Sequence, residues 1–544
     1  MLSKKSIKKL ALILSTVMVS SLVFFGCSSK DKTNNNQAKQ TSTDKAKETS
    51  ENDKYGGVIN IALSAIPKTI DPVKYTGVYE GDIISNVADT IVAYNKDLTK
   101  IVSNLATEWS VSENGKVYTF KLRNDVYFQK GKFQDGRKMT AGDVKYSLER
   151  SAKESAMKRL AALDHAEVVS DFEVKLYLKN PDASFLTVLT DAGNVIVPKE
   201  EVEGYGEAFG TNLVGTGPFK LAEWKKDTYA KLERNEKFWG QKPYLDGVTF
   251  KFITDRNMMV NALKTNEIQI GTDIGGEGVK LVQDDKNLNL QKVPGLHVAY
   301  LYMNLQNGPT KDKKVREAIY SAIDIGQLVK GVYQYGEAER AYLPVPPGSW
   351  GYDKSLEGMI PKYDPEKAKK LLAEAGYANG FKTELYISDT PARVKMATIV
   401  QQFLKQNLNI DVAIKTQEWG TFSDIASKGN APIYGMSWSW YPDPFFFLNK
   451  MFHSSEIGAL GNGQGFNKPE VDKLLNEALL TSNQDERAAK YKEATKLIVE
   501  ELPAIWYGNE SVIYGFNNKV KGFVMKADKN KRFVGEDYNV YLEK

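Results

Sequence analysis

Apolar and polar positions along the chain switch repeatedly between a period of two and a period near 3.6. Short β-rich runs at Val58–Leu63, Val117–Leu122, Glu173–Leu178, Phe219–Trp224, Tyr229–Arg234 and Val248–Ile253 predict strands. VYTFKL and EVKLYL alternate cleanly. Asn114-Gly115, between Trp109–Val111 and Val117–Leu122, is the pair that a tight hairpin turn demands. Helical spacing predicts helices over Val78–Ala93, Met258–Lys264, Lys313–Ile323, Ala392–Asn407, Val471–Leu480 and Glu486–Glu501. Thr140 with Asp143 three residues on reads as a helix start. Asp364-Pro365-Glu366 followed by AKKLLAEAGY is a helix punctuated at both ends, by an N-cap with proline behind it and by Gly376. Val298–Asn304, Thr383–Ile387, Val412–Thr416 and Ile505–Tyr507 complete the predicted strands. The alternation, with no internal repeat, predicts an α/β architecture with mixed sheets in more than one lobe.

The densest aromatic stretch is Ser437–Phe447, SWSWYPDPFFF. Pro442 and Pro444 exclude helix interior there, because proline lacks an N–H and biases its predecessor toward extended backbone. The stretch therefore predicts a strand from Ile433 to Trp440, a turn at Tyr441–Pro444, and a helix from Phe445 to Phe452. Trp419, Trp438 and Trp440 can wall a small-molecule or peptide cleft; each ring can equally be domain core. Asp443 is a candidate ligand carboxylate or a cap for the helix at Phe445.

The chain's start is of another kind. Lys4, Lys5, Lys8 and Lys9 precede an apolar run from Leu10 to Phe25 and then Gly26-Cys27, the layout of a secretory signal over residues 1–26. Cys27 is the single cysteine, which excludes an intramolecular disulfide. Phe24-Phe25-Gly26-Cys27 resembles a bacterial lipobox, in which the thiol is acylated, although Phe24 stands where leucine is usual. A signal-anchor helix or an unmodified thiol are the rival readings. Residues 27–54 carry no apolar side chain larger than alanine beyond that cysteine, the composition of a disordered tether. Removing the leader's four lysines lowers the formal charge from +5 to +1. No basic surplus remains for a nucleic-acid partner.

Catalytic and metal-binding patterns are sparse. His165, His297 and His453 are far apart, and HExxH, paired Cys/His spacing and GxSxG do not occur. Gly215-Thr216-Gly217-Pro218 completes no phosphate-loop motif, and Pro218 removes an N–H where a phosphate cradle needs donors. No catalytic residue, metal or cofactor is expected. A secreted hydrolase with dispersed carboxylates is the reading from a different class.

The lipobox, the tether, ADTIVAYN, GTGPFKLAEW, ERNEKFWG, VREAIYSAID, AKKLLAEAGY, TQEWGTF and YPDPFFFLNKMFHS, in that order, resemble the extracellular solute-binding proteins of peptide-type ABC importers (family 5). They are most similar to the oligopeptide-binding lipoproteins of Gram-positive bacteria. The resemblance implies a two-lobed periplasmic-binding-protein-like fold with a hinge and an extra domain inserted in the first lobe. Lobe one would comprise residues 55–94, 214–297 and 512–544, the extra domain 95–213, and lobe two 298–511. The implied function is capture of oligopeptides between closing lobes by a monomer held on the outer face of the cell membrane through Cys27. Delivery would be to a permease with its ATPase subunits.

Residue by residue, the resemblance implies that Thr76, Gly77 and Val78 line the ligand from lobe one. Met436, Ser437 and Trp438 would line it from lobe two, with Trp419 walling a side-chain pocket and Tyr507 near the cleft. Many peptide binders of the family carry an aspartate three positions before the Asp of the DP step, paired with the peptide's α-ammonium. Here that position is Trp440. An unpaired buried ammonium costs several kcal/mol, so either another carboxylate, with Asp443 a candidate, takes the role or the ammonium is not held there. An oligosaccharide, opine or nickel or other metal chelate in the same fold is the alternative ligand.

Overall fold

The computed structural model describes residues 51–112 and 115–544. The leader, Cys27 and most of the expected tether lie outside them. The tether's last residues, Glu51–Lys54, form a short 3-10 turn, with the Lys54 ammonium over the rings of Tyr244 and Tyr541.

The elements that position the site are, in chain order, β1 (Val58–Leu63), α1 (Val78–Val87), β2 (Gly247–Phe252), β3 (Leu288–Pro294), β4 (His297–Met303), β5 (Lys382–Ser388), α2 (Pro391–Leu408), β6 (Asp411–Gln417), α3 (Trp419–Ser427), β7 (Ile433–Ser439), α4 (Phe445–Phe452), α5 (Gln484–Glu501) and β8 (Ala504–Asn517). All eight strands belong to one hydrogen-bonded sheet. β1 runs parallel to β2 and to Ile270–Gly271. β5 runs parallel to β6 and β7. Between these parallel groups, β8 pairs antiparallel with β3, β4 and Ile270–Gly271, and β4 with β7. A separate antiparallel sheet carries the expected hairpin: Ala106–Ser112 pairs with Val117–Leu122, which pairs with Glu173–Leu178. The helix behind it, Ala141–Glu154, starts with the expected capping box, the Asp143 carboxylate accepting the Thr140 amide at 2.9 Å.

The apolar cores divide along the chain. One gathers side chains from Leu296 to Tyr507, together with Leu98. A second takes residues from the β1–α1, β2 and β8 regions and the C-terminal Phe533–Val540. A third lies under the hairpin sheet and also receives Phe446. α2 illustrates how the sequence dictates burial: Met396, Val400 and Leu404 recur every four residues and are buried. Pro391 opens this helix, and Asn409, at φ 52°, ends it in the left-handed conformation that asparagine tolerates.

Two elements depart from the pattern. α1 stops at Val87 rather than Ala93. The chain straightens so that buried Asp89 can accept bonds from Arg532 at 2.6 Å, Thr216 at 2.8 Å and Trp239 at 3.0 Å. Val92–Tyr94 is then a strand. β8 was expected only at Ile505–Tyr507, because Gly508-Asn509-Glu510-Ser511 breaks the apolar run. It continues to Asn517 because neighbouring strands pair its backbone through the break: Ala338–Arg340 opposite Gly508–Glu510, then β3 from Ser511 on.

The C-terminal segment is locked to α1 by a fully buried ion pair, Lys531 Nζ to Asp82 Oδ2 at 2.6 Å. Burial lifts the Asp82 carboxyl to about 7 against the pull of that ammonium. Removing Lys531 leaves a buried carboxyl that must take up a proton or stay charged without a partner. Lys531→Met should therefore cost about 3–5 kcal/mol in urea denaturation, whereas the double variant Asp82→Leu/Lys531→Met should recover most of the loss. Equal losses in the single and double variants would contradict this reading.

Candidate functional site

β5, β6 and β7 are parallel; β5 and β6 end together, Ser388 lying opposite Gln417, and β7 runs on to Ser439 beyond them. α2 and α3 begin immediately beyond the ends of β5 and β6. The open end of a parallel group is where ligands meet α/β sheets, because loops and helix N-termini converge there. Antiparallel β4 brings His297 opposite Ser439 and Val298 opposite Trp438. β8 sets Gly508 opposite Ala299, with Tyr507 next to it. Trp419, Ser437, Trp438, Trp440 and Tyr507 are thus gathered from three stretches to one end of the sheet.

Their exposure separates them. Trp419 is 47% exposed and Trp440 39%. Trp438 is half-buried, its indole N–H donating to the Phe446 carbonyl at 3.0 Å. Trp440 stacks on Trp438 at 5.8 Å and on Phe446 at 5.9 Å, with planes within 20° of parallel in both cases. The three rings make an aromatic shelf of which Trp440 is the open part. Met436 and Tyr507 are buried in the core below.

The shelf is tied to the expected lobe-one stretch through one carboxylate. Asp191 accepts the Tyr75 hydroxyl at 2.6 Å, the Tyr441 hydroxyl at 2.7 Å and the Gly193 amide at 2.7 Å, and pairs with Arg159 at 2.8 Å. Burial, with the charge of Asp191 adding to it, pushes both phenols well above the usual tyrosine range, so both remain donors. Tyr75 and Tyr441 adjoin Thr76-Gly77-Val78 and Trp440 respectively, so Asp191 brings the two expected ligand-lining stretches together. Thr76 and Val78 are exposed beside this contact.

Asp443, expected among the ligand contacts, is instead structural. It is completely buried; its oxygens accept the Phe445 amide at 3.0 Å and the Thr187 hydroxyl at 3.1 Å, and pair with Arg487 at 2.8 Å. It accepts the first amide of α4 and neutralises an arginine, so its oxygens are already engaged within the protein.

Asp191, Arg159 and Arg487 were not singled out from the sequence, since nothing in the chain pairs Arg487 with a carboxylate 44 residues away. Arg393, in the first turn of α2, was also missed. Its guanidinium lies 5.6 Å from the Trp419 ring centroid and donates to Ser388 Oγ. Among the described residues it has no carboxylate partner. A cavity of about 670 Å³, lined by Tyr94, Trp239 and Tyr538 among others, includes none of the ten expected ligand residues. The sheet end, where five of those residues converge, is the better candidate site.

The model of bacterial extracellular solute-binding proteins, family 5 (middle), matches residues 100–459. The dipeptide-binding protein of Escherichia coli (strain K12) is 30% identical over 464 residues, covering 80% of this chain and 86% of its own. Heme-binding protein A of Haemophilus influenzae is 30% identical, covering 82% of this chain and 86% of its own. Among solved structures, an ABC transporter-associated periplasmic binding protein from Helicobacter pylori in complex with the peptide STSA superposes with a TM-score of 0.71 at 30% identity. It covers 91% of this chain and 99% of that one.

Proposed function

The chain belongs to the family 5 bacterial extracellular solute-binding proteins, and from that premise we propose that it is the lipid-anchored receptor of an ABC importer that captures oligopeptides. Its relatives are binding proteins, not enzymes, and binding alone requires no catalytic group. The observation that carries the reading is the exposed aromatic shelf at the sheet end, set beside Thr76-Gly77-Val78 through Asp191. Strand-like backbone on both sides of an extended peptide gives sequence-tolerant affinity, while aromatic walls accept varied side chains. Arg393, half-buried beside Trp419 and without a carboxylate partner among the described residues, suits a ligand carboxylate. With Trp440 in place of aspartate and Asp443 committed to Arg487, the α-ammonium of the peptide is left to solvent or to another acid.

Closure of the residue 298–511 region on the remainder would trap the ligand and present it to the permease. In this reading the hinge is the pair of neighbouring crossings at Pro294–His297 and Gly508–Ser511, and the extra domain is residues 95–213. Affinity differing between open and closed states is all such a receptor needs. A heme-binding relative at equal identity supports a second reading, a flat or ring-shaped non-peptide solute stacked on the same shelf.

Trp440→Ala should weaken binding of an oligopeptide mixture by roughly tenfold, about 1–2 kcal/mol, in tryptophan-fluorescence titration. Its thermal midpoint should fall by only a few degrees, because the ring packs on one side alone, against Trp438 and Phe446. Unaltered affinity would return Trp440 to a packing role. Cys27→Ser should release the protein into the medium or leave it unprocessed, since two or more acyl chains are what makes membrane attachment stable. Normal lipid labelling of that variant would remove the anchor from the account.

A further inference from the structure

A second cavity, of about 420 Å³, lies against the buried side of the Pro442-Asp443-Pro444 turn. We infer that it is a separate binding site for a small organic acid. Lys100, Trp109, Trp350, Asp443, Gln484 and Arg487 contribute to its lining, and Trp419, Trp438 and Trp440 do not. Its size falls in the range of about 300–1,000 Å³ typical of small-molecule sites.

Charge and unused donors define the chemistry. Arg487 has only 6% of its surface exposed. One nitrogen, Nη2, carries its bonds to Asp443 and to the Tyr491 hydroxyl. Its buried Nε has no partner. An arginine offers five N–H donors in a planar fork, and buried donors in folded proteins are nearly always satisfied. Arg487 therefore retains donor capacity in the cavity wall. The Trp350 ring, 5.3 Å from the guanidinium carbon, helps to hold its plane.

Asp443 is the single carboxylate in the lining, and its oxygens are occupied by Arg487, Thr187 and the Phe445 amide. Lys100, exposed at the rim, has no ion pair among the described residues. The lining is thus cationic by one charge, with its acid already spent. A carboxylate can take parallel bonds from a guanidinium fork, and the indoles of Trp109 and Trp350 with Ile101 and Leu186 supply apolar wall for a carbon skeleton. A bare inorganic oxyanion would use the guanidinium but none of the apolar wall; an organic acid uses both.

The test is isothermal titration of the purified protein with succinate as probe and neutral succinamide as control. Succinate should bind saturably at one site and succinamide should not. Lys100→Glu and Arg487→Lys should each weaken succinate by about tenfold or more, and Trp440→Ala should leave it unchanged. If Arg487→Lys does not fold, Lys100→Glu alone decides, because its side chain is exposed. Oligopeptide binding by Lys100→Glu should match the unmodified protein, which separates failure of this site from failure of the aromatic shelf. Absence of saturable heat, equal affinity in Lys100→Glu, or loss of succinate in Trp440→Ala would each overturn the inference.

Discussion

The backbone ladder along β8 is the constraint on which the rest of the structure depends. From Ala504 to Gly508 this strand is bonded to β4, and from Ser511 to Asn517 to β3. The core gathered between Leu296 and Tyr507 lies on the first half, and the core around β1, β2 and α1 on the second. Every N–H and C=O in such a buried strand needs a partner, so the two halves of the sheet cannot be laid down independently. The short turn Gly295-Leu296 between β3 and β4 runs beside Gly508–Ser511, the Gly295 amide donating to the Glu510 carbonyl at 3.1 Å. Backbone crossing twice at one place is the geometry around which a ligand-trapping rotation of the proposed kind would turn.

The aromatic stretch gains its geometry from two carboxylates that do not touch solvent-exposed rings. Asp443 fixes the start of α4, and with it Phe446, the ring beneath Trp440. Asp191 holds Tyr441 and Tyr75 on one anion. Removing either acid would leave buried hydroxyls or a buried guanidinium unpaired, which costs more than the bonds themselves contribute. The proposed binding surface is therefore anchored from below by these two acids and exposed at Trp440, Trp419, Thr76 and Val78. A rigid aromatic wall loses little side-chain entropy when a ligand arrives.

Much of this could be read in the chain. α4 runs from Phe445 to Phe452 as the Pro-Asp-Pro step predicts, β1 has its predicted bounds, and the capping box at Thr140 forms. These features are local: proline, caps and periodicity act within a few residues. The misses are long-range. β8 passes through a polar break because strands from elsewhere satisfy it. α1 ends early because Asp89 must meet Arg532, 443 residues away. Asp443 reads alike as cap or ligand in sequence, and only the arrival of Arg487 and Thr187 decides between them. Arg393 carries no local signal, since its significance is the absence of a carboxylate partner among the described residues.

Native mass spectrometry of residues 28–544, purified from a peptide-rich host, tests the central claim most directly. The account predicts a spread of co-purified masses that fragment as peptides and are displaced together by an added peptide mixture. A protein that arrives empty, ignores that mixture and binds a glycan, heme or metal chelate would contradict it.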